Sequence, residues 1–204
     1  LCFHLDHGSC DEAVVRAIRC GCTSVMRDAS TLPLEENISV LKSVVHFAHD
    51  IGVDVEGELG CIGAAKDGVS TEYTKVDDAV RYCQETGVDA LAVAVGTAHG
   101  HYKQAPILAI ERIRQLYAVL PAALVLHGGS GIPDDQIQEA IRAGIRKVNF
   151  GTDVCYAFLD QVRKTSESII AVDLFMKEPI EAVKRFALEK IKLLHAEDSN
   201  AEMA

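Results

Sequence analysis

The sequence predicts a parallel α/β barrel, a (β/α)8 TIM barrel of which this chain supplies about the last six βα units. Three observations lead there. A strand-like apolar run followed by an amphipathic helical stretch recurs six times along 204 residues, and alternating βα units imply parallel strands covered by helices. The run from Ala90 to Val95 is apolar throughout, which suits a sheet buried on both faces. Polar, chemistry-bearing residues stand where every one of these runs gives way to its loop. The alternative, an open doubly wound sheet, would gather its site at one switch point.

Each element can be placed in order. The first strand is expected over Cys2 to Leu5, with a helix near residues 10–20 closing on Gly21. Thr23 to Arg27 leads to a helix near 35–50 that closes on Gly52, and Val53 to Leu59 leads to one near 76–86 that closes on Gly87. Ala90 to Val95 precedes a helix near 106–119, and Ala123 to Leu126 precedes one near 134–143 ending at Gly144. Lys147 to Phe150 is the last strand, followed by helices near 153–168 and 176–195. Glycine just past the last periodic residue is a helix stop, because it accepts the positive φ that closes the final turn. Six units do not close an eight-stranded barrel, and Leu1 already opens a strand without an initiator methionine. The chain is therefore expected to be a single domain, residues 1–204, lacking two N-terminal βα units whose absence would expose two sheet edges.

Composition narrows the function. With 49% hydrophobic residues the chain can bury one core. A net charge of −10 argues against nucleic acid and anionic membrane surfaces as partners, since both would be repelled. No apolar run approaches the roughly 18 residues needed to span a bilayer, and from the opening residues a soluble protein without a secretory leader is expected. Seven cysteines, an odd number scattered among strands and helices, fit reduced thiols in the cytoplasm. Any anionic substrate must be held by a metal, backbone amides or a few placed cations.

The strand ends supply such a site. They read Asp6-His7, Asp28, Glu58, His99, His127 and Asn149, and in a barrel they converge on the C-terminal face. One histidine there is usually a hydrogen-bonded rim residue. Three of them, each followed by glycine (His7-Gly8, His99-Gly100, His127-Gly128), point to a zinc centre that keeps an open position for substrate oxygen. His4, His46, His49, His101 and His195 have bland readings, and His46 and His49, three apart on a helix with no carboxylate motif, read as solvated or capping residues. Gly128-Gly129-Ser130-Gly131 and Asn149-Phe150-Gly151-Thr152 each lead into a helix, a pattern that cradles phosphate with backbone amides, hydroxyls and the helix N-terminus.

In combination, His4-Leu5-Asp6-His7-Gly8, Val55-Glu56-Gly57-Glu58-Leu59-Gly60, Gly96 to Lys103, Leu126 to Gly131 and Lys147 to Thr152 resemble the class II, metal-dependent ketose-bisphosphate aldolases, the family of fructose- and tagatose-bisphosphate aldolase. That resemblance implies that His7, His99 and His127 hold catalytic zinc and that Asp6 is the acid/base. It implies that Asp28 and Glu58 hold a second or alternate divalent or monovalent cation. It further implies that Gly100, Gly128, Gly129, Ser130, Asn149, Phe150, Gly151 and Thr152 bind dihydroxyacetone phosphate. A cytoplasmic homo-oligomer acting on a small sugar phosphate in carbohydrate metabolism, such as glycolysis, is the expectation.

Two departures stand out. Where the family has a loop glutamate implicated in proton abstraction, this chain reads Gly63-Ala64-Ala65-Lys66-Asp67. Arg27 replaces an apolar residue before Asp28 and needs a partner or a path to solvent. The leading reading is a zinc-dependent aldolase cleaving fructose or tagatose 1,6-bisphosphate into dihydroxyacetone phosphate and glyceraldehyde 3-phosphate. The alternatives are an aldolase for a phosphorylated deoxy-keto acid, a non-catalytic sugar-phosphate binder, and a hydrolase that uses the same histidines to activate water.

Overall fold

The computed structural model describes residues 2–60, 72–100, 102 and 105–197. Its strands are β1 (His4–Gly8), β2 (Ser24–Arg27), β3 (Asp54–Leu59), β4 (Ala90–Val93), β5 (Ala123–Leu126) and β6 (Ile145–Val148). Between them run α1 (Asp11–Arg19), α2 (Leu34–His49), α3 (Val76–Thr86), α4 (Ile110–Tyr117) and α5 (Asp134–Ala143), followed by α6 (Thr152–Lys164) and α7 (Val172–Leu193). All neighbouring strands pair in parallel, and the sheet order is β1-β2-β3-β4-β5-β6. A sequential order without reversal has no switch point, which removes the doubly wound alternative.

The sheet is curled. Asn149, just past β6, donates its Nδ2–H to Asp6 Oδ1 of β1 at 3.1 Å, although the two strands stand at opposite ends of the sheet order. Lys147 of β6 reaches Glu56 of β3 at 2.6 Å across the same concave face. Alternation along each strand separates two environments. Val25, Val55, Leu91, Val93, Leu124 and Leu126 join helix residues such as Val14, Leu41, Ile113 and Ile137 in the main core on the convex side. Met26, Ala92 and Val125, one position out of phase, are buried outside that core, on the face that also carries Glu56, Glu58 and Lys147. The concave side thus mixes apolar Met26, Ala92 and Val125 with the charged Glu56, Glu58 and Lys147.

Helix limits follow local chemistry. α3 ends on Gly87 at φ 74°, and α1 carries Asp11 and Glu12 in its first turn with Arg16 and Arg19 in its last, matching the helix dipole. β1 lies further along than its apolar run suggests, because pairing with β2 continues to Gly8 through a register shift between Leu5 and Gly8. β6 starts at Ile145, which pairs with Leu124, and stops at Val148, so Asn149 lies in the loop. α4 is shorter than residues 106–119 because Gln136 clamps the preceding segment: its Oε1 accepts Leu108 N–H at 2.9 Å, and its Nε2 donates to Pro106 O at 2.9 Å. Among the described residues no helix is long and apolar enough to cross a membrane. The six cysteines there are all free.

Candidate metal centre

His7 sits in the irregular stretch of β1 with φ at 50°, a left-handed conformation that aims its ring into the mouth of the curled sheet. Its Nδ1 hydrogen-bonds Asp28 Oδ2 at 2.8 Å. Ser30 secures that carboxylate, donating from N at 3.0 Å and from Oγ at 2.8 Å to Oδ1. The hydrogen bond with Asp28 raises the His7 pKa, and its reciprocal effect holds Asp28 far below the ordinary carboxylate range. His7 Nε2 is buried without a hydrogen-bond partner among the described residues.

His127 immediately follows β5 and is completely buried. Its Nε2–H donates to Glu56 Oε1 at 2.8 Å, and its Nδ1 lies 3.0 Å from Glu58 Oε2. Burial alone would lower its pKa, but the two flanking carboxylates push it up to about 9. His99 occupies the loop after β4, and burial, with His7 and His127 nearby, lowers its pKa. The ring centroids stand 5.1 Å (His7–His99), 4.8 Å (His7–His127) and 5.8 Å (His99–His127) apart. One ligand atom from each of the three histidines lies within 4.8 Å of the others.

This donor set fits a metal. Among the described residues His7 Nε2 is a buried nitrogen without a hydrogen-bond partner, while its Nδ1 is anchored to Asp28. His127 is anchored to Glu56 through Nε2, which leaves Nδ1, with Glu58 3.0 Å away, as the nitrogen for an ion, and a carboxylate behind the ring is usual for ligating histidines. Three imidazoles suit zinc. Asp28 stands behind His7, and Glu58 stands beside Nδ1 of His127, so both expected cation carboxylates adjoin the centre, outside the group of three converging nitrogens.

The remaining site residues surround it. Asp6, His7, His99 and Gly100 line a concavity together with Gly128, Ser130, Asn149, Gly151 and Thr152, whereas Gly129 is not among its lining residues. Gly128 has φ at 67°, and any Cβ there would collide with the Ala98 carbonyl, so the loops after β4 and β5 meet only because this residue is glycine. Tyr102 Oη ties them further, accepting Ala98 N–H at 2.7 Å and lying 2.9 Å from the Gly128 carbonyl. Gly129 N–H donates to Asn149 O at 3.0 Å, and Ser130 Oγ accepts Asp153 N–H at 3.0 Å, which aligns both glycine-rich turns with the start of α6. Phe150 turns away from the concavity, with its ring T-shaped on Phe186 of α7 at 6.3 Å. Gly63 to Asp67, including Lys66, lie outside the described residues, as do His101 and Lys103.

Sequence reasoning missed a second layer. His4, Glu56 and Lys147 each precede a flagged residue (Asp6, Glu58, Asn149) by two positions, so they share its face one step deeper in the sheet. Period-two alternation was the signal that could have found them. His4 Nδ1 bonds Ser24 Oγ at 2.8 Å, and its Nε2 lies 3.6 Å from Glu56 Oε2, so it belongs to the interior of the sheet, and not to the bland set. His49 does keep a peripheral role, bonding Asp89 at 2.8 Å. Arg27 finds its partners in Asp11 Oδ1 at 3.2 Å and the Asp28 carbonyl.

A curled parallel sheet with three histidines gathered at the C-terminal ends of its strands defines an α/β protein with a candidate metal site. The family model of fructose-bisphosphate aldolase class-II matches residues 1–199, and the chain belongs to that family. It is 40% identical to 6-phospho-5-dehydro-2-deoxy-D-gluconate aldolase of Shouchella clausii, covering 98% of this chain and 70% of that protein. It is 39% identical to fructose-bisphosphate aldolase of Streptococcus pneumoniae, covering 95% of this chain and 67% of that one. Among solved structures, the YdjI aldolase of Escherichia coli superposes with a TM-score of 0.85 at 40% identity, over 94% of this chain and 68% of that one.

Proposed function

We propose that this chain is the metal-site portion of a zinc-dependent aldolase that reversibly cleaves a phosphorylated keto-sugar. The convergence of one ligand nitrogen each from His7, His99 and His127 within 4.8 Å, with His7 tied back to Asp28 through Nδ1 and His127 to Glu56 through Nε2, carries the proposal. Held by these three residues, zinc supplies a Lewis acid for the ketone oxygen. The chain's own groups do the rest. Asp6, oriented by Asn149 at the rim, takes the hydroxyl proton as the carbon–carbon bond breaks. That hydroxyl carbon becomes the aldehyde, and the bonding electrons pass to the carbon beside the ketone. The backbone amides of Gly128, Ser130, Gly151 and Thr152 hold the phosphate at the start of α6, while those of Gly129 and Asn149 are engaged by the Asn149 and Leu126 carbonyls.

Two substrate types fit. Fructose or tagatose 1,6-bisphosphate and 6-phospho-5-dehydro-2-deoxy-D-gluconate share one end, a phosphomethyl ketone, and differ at the other, which is a second phosphate or a carboxylate. Both therefore release dihydroxyacetone phosphate. The 40% identity with a relative named for the second compound supports the deoxy-keto acid, and the 39% identity with a fructose-bisphosphate aldolase supports the first. Turnover of each, followed as triose phosphate in a coupled assay, chooses between them. Zinc or cobalt should restore activity removed by a chelator. Chelator-resistant turnover would sink the metal assignment, and release of inorganic phosphate without triose phosphate would favour the hydrolase. If Lys66→Glu gains turnover over an inert parent, the chain is a sugar-phosphate binder. The exposed apolar side chains of α6 and α7, including Tyr156, Leu159, Val172, Leu174 and Ile180, support a homo-oligomer, which light scattering on the purified chain would test.

A further inference from the structure

Among the described strand residues the least exposed polar side chain is Glu56, with 1% of its surface exposed. Its two oxygens have separate tasks: Oε1 accepts His127 Nε2–H at 2.8 Å, and Oε2 accepts Lys147 Nζ at 2.6 Å. Each partner comes from a different strand end, β5 and β6, while Glu56 itself lies mid-strand in β3, whose neighbours Val55 and Gly57 leave it one facing direction. Gly57 cannot move outward, because Tyr82 packs where its Cβ would be, with Oη 2.5 Å from that position. The carboxylate is therefore clamped at both oxygens and along its backbone. A buried carboxylate loses hydration worth several kcal/mol, so a clamp this complete is retained only where both partners hold it.

We propose that Glu56 and Lys147 are positioning residues of the metal centre, a clamp that fixes the rotation of the His127 ring so that Nδ1, and not Nε2, faces His7 and His99. The inference rests on the metal reading above. A ring held only by packing could turn about its Cβ–Cγ bond and exchange the two nitrogens, whereas one anchored through Nε2 presents a single ligand atom. Lys147 acts one step further back. With its ammonium on Oε2, the carboxylate cannot rotate to offer that oxygen elsewhere, so Oε1 stays on the imidazole. Lys147 is thereby committed below the concavity and is not counted among the phosphate-binding groups.

Outer partners of ligating histidines typically control metal affinity by about 10–100-fold. The test is cobalt(II) binding to the metal-free chain, read both as a dissociation constant by chelator competition and as the visible spectrum of the bound ion. Glu56→Ala and Lys147→Met should each weaken binding at least tenfold and alter the visible bands, with Lys147→Arg recovering most of the loss. Circular dichroism selects variants that remain folded, and Glu56→Gln, which keeps a hydrogen-bond acceptor at the same place, guards against an Ala variant that does not fold. A merely structural role would lower thermal stability while leaving the dissociation constant and the spectrum as in the parent; that result overturns the proposal. A parent that binds no cobalt overturns the metal reading and this inference together, whereas a parent that binds while folded Lys147→Met, or folded Glu56→Ala, matches it overturns this inference alone.

Discussion

His127 concentrates the electrostatics of the site in one side chain. Fully buried between Glu56 and Glu58, it has a metal-free pKa of about 9 against an ordinary 6.5. Because the folded value lies above the unfolded one, the stability this group contributes is complete below pH 6.5 and is lost as pH rises through about 9. The shift corresponds to something on the order of 3 kcal/mol. In the presence of chelator, the denaturant midpoint should therefore fall between pH 7 and 10, and His127→Gln should flatten that slope; a midpoint indifferent to pH in the parent would show that the imidazole is not charged there. A second expectation concerns Gly128, whose positive φ and contact with the Ala98 carbonyl leave no space for a methyl group. Gly128→Ala should part the loops bearing His99 and His127. Cobalt titration should show at least a tenfold weaker site, with a loss of about 1–3 kcal/mol in stability.

Among the elements, β3 carries the most. Its end is held from outside the sheet by a buried relay: Tyr82 Oη of α3 donates to Asn37 Oδ1 of α2 at 3.0 Å, and Asn37 Nδ2 donates to the Glu58 carbonyl at 2.9 Å. Tyr82→Phe leaves the Asn37 oxygen with no donor and should cost about 1–3 kcal/mol by urea denaturation. Leu41→Ala, at a fully buried position of α2 in the convex core, should cost about 2–5 kcal/mol through the cavity it leaves. The two substitutions separate in their effect on the site, since only Tyr82→Phe touches the relay to Glu58. The limits of α3 and α5 were legible in sequence because apolar spacing and the following Gly87 and Gly144 mark them locally. β1 was not, since its end depends on pairing with β2 and on the irregular backbone at His7, which no local pattern announces.

At the scale of the whole molecule, the candidate ion would join three separated stretches of chain, the end of β1, the loop after β4 and the residue after β5. A ligand that binds only the folded state stabilises it by about 4 kcal/mol at a thousandfold excess over its dissociation constant. For a chain of this length that corresponds to a rise of roughly 8–16 °C in Tm. Zinc added to the metal-free protein should produce such a rise in a thermal melt, and His127→Ala should abolish it. An equal rise in the variant would place the metal elsewhere.

The sequence by itself determined the order of elements, the apolar strands and the polar residue at each strand end, because these are local patterns of period and turn chemistry. Tertiary structure alone decided the rest. It set which nitrogen of each histidine is tied back to a carboxylate, turned Phe150 onto α7, and placed His4, Glu56 and Lys147 beneath the centre as a polar layer. The reason is curvature: residues from β1, β3, β5 and β6 become neighbours only when the sheet closes on itself, and no one-dimensional spacing records that.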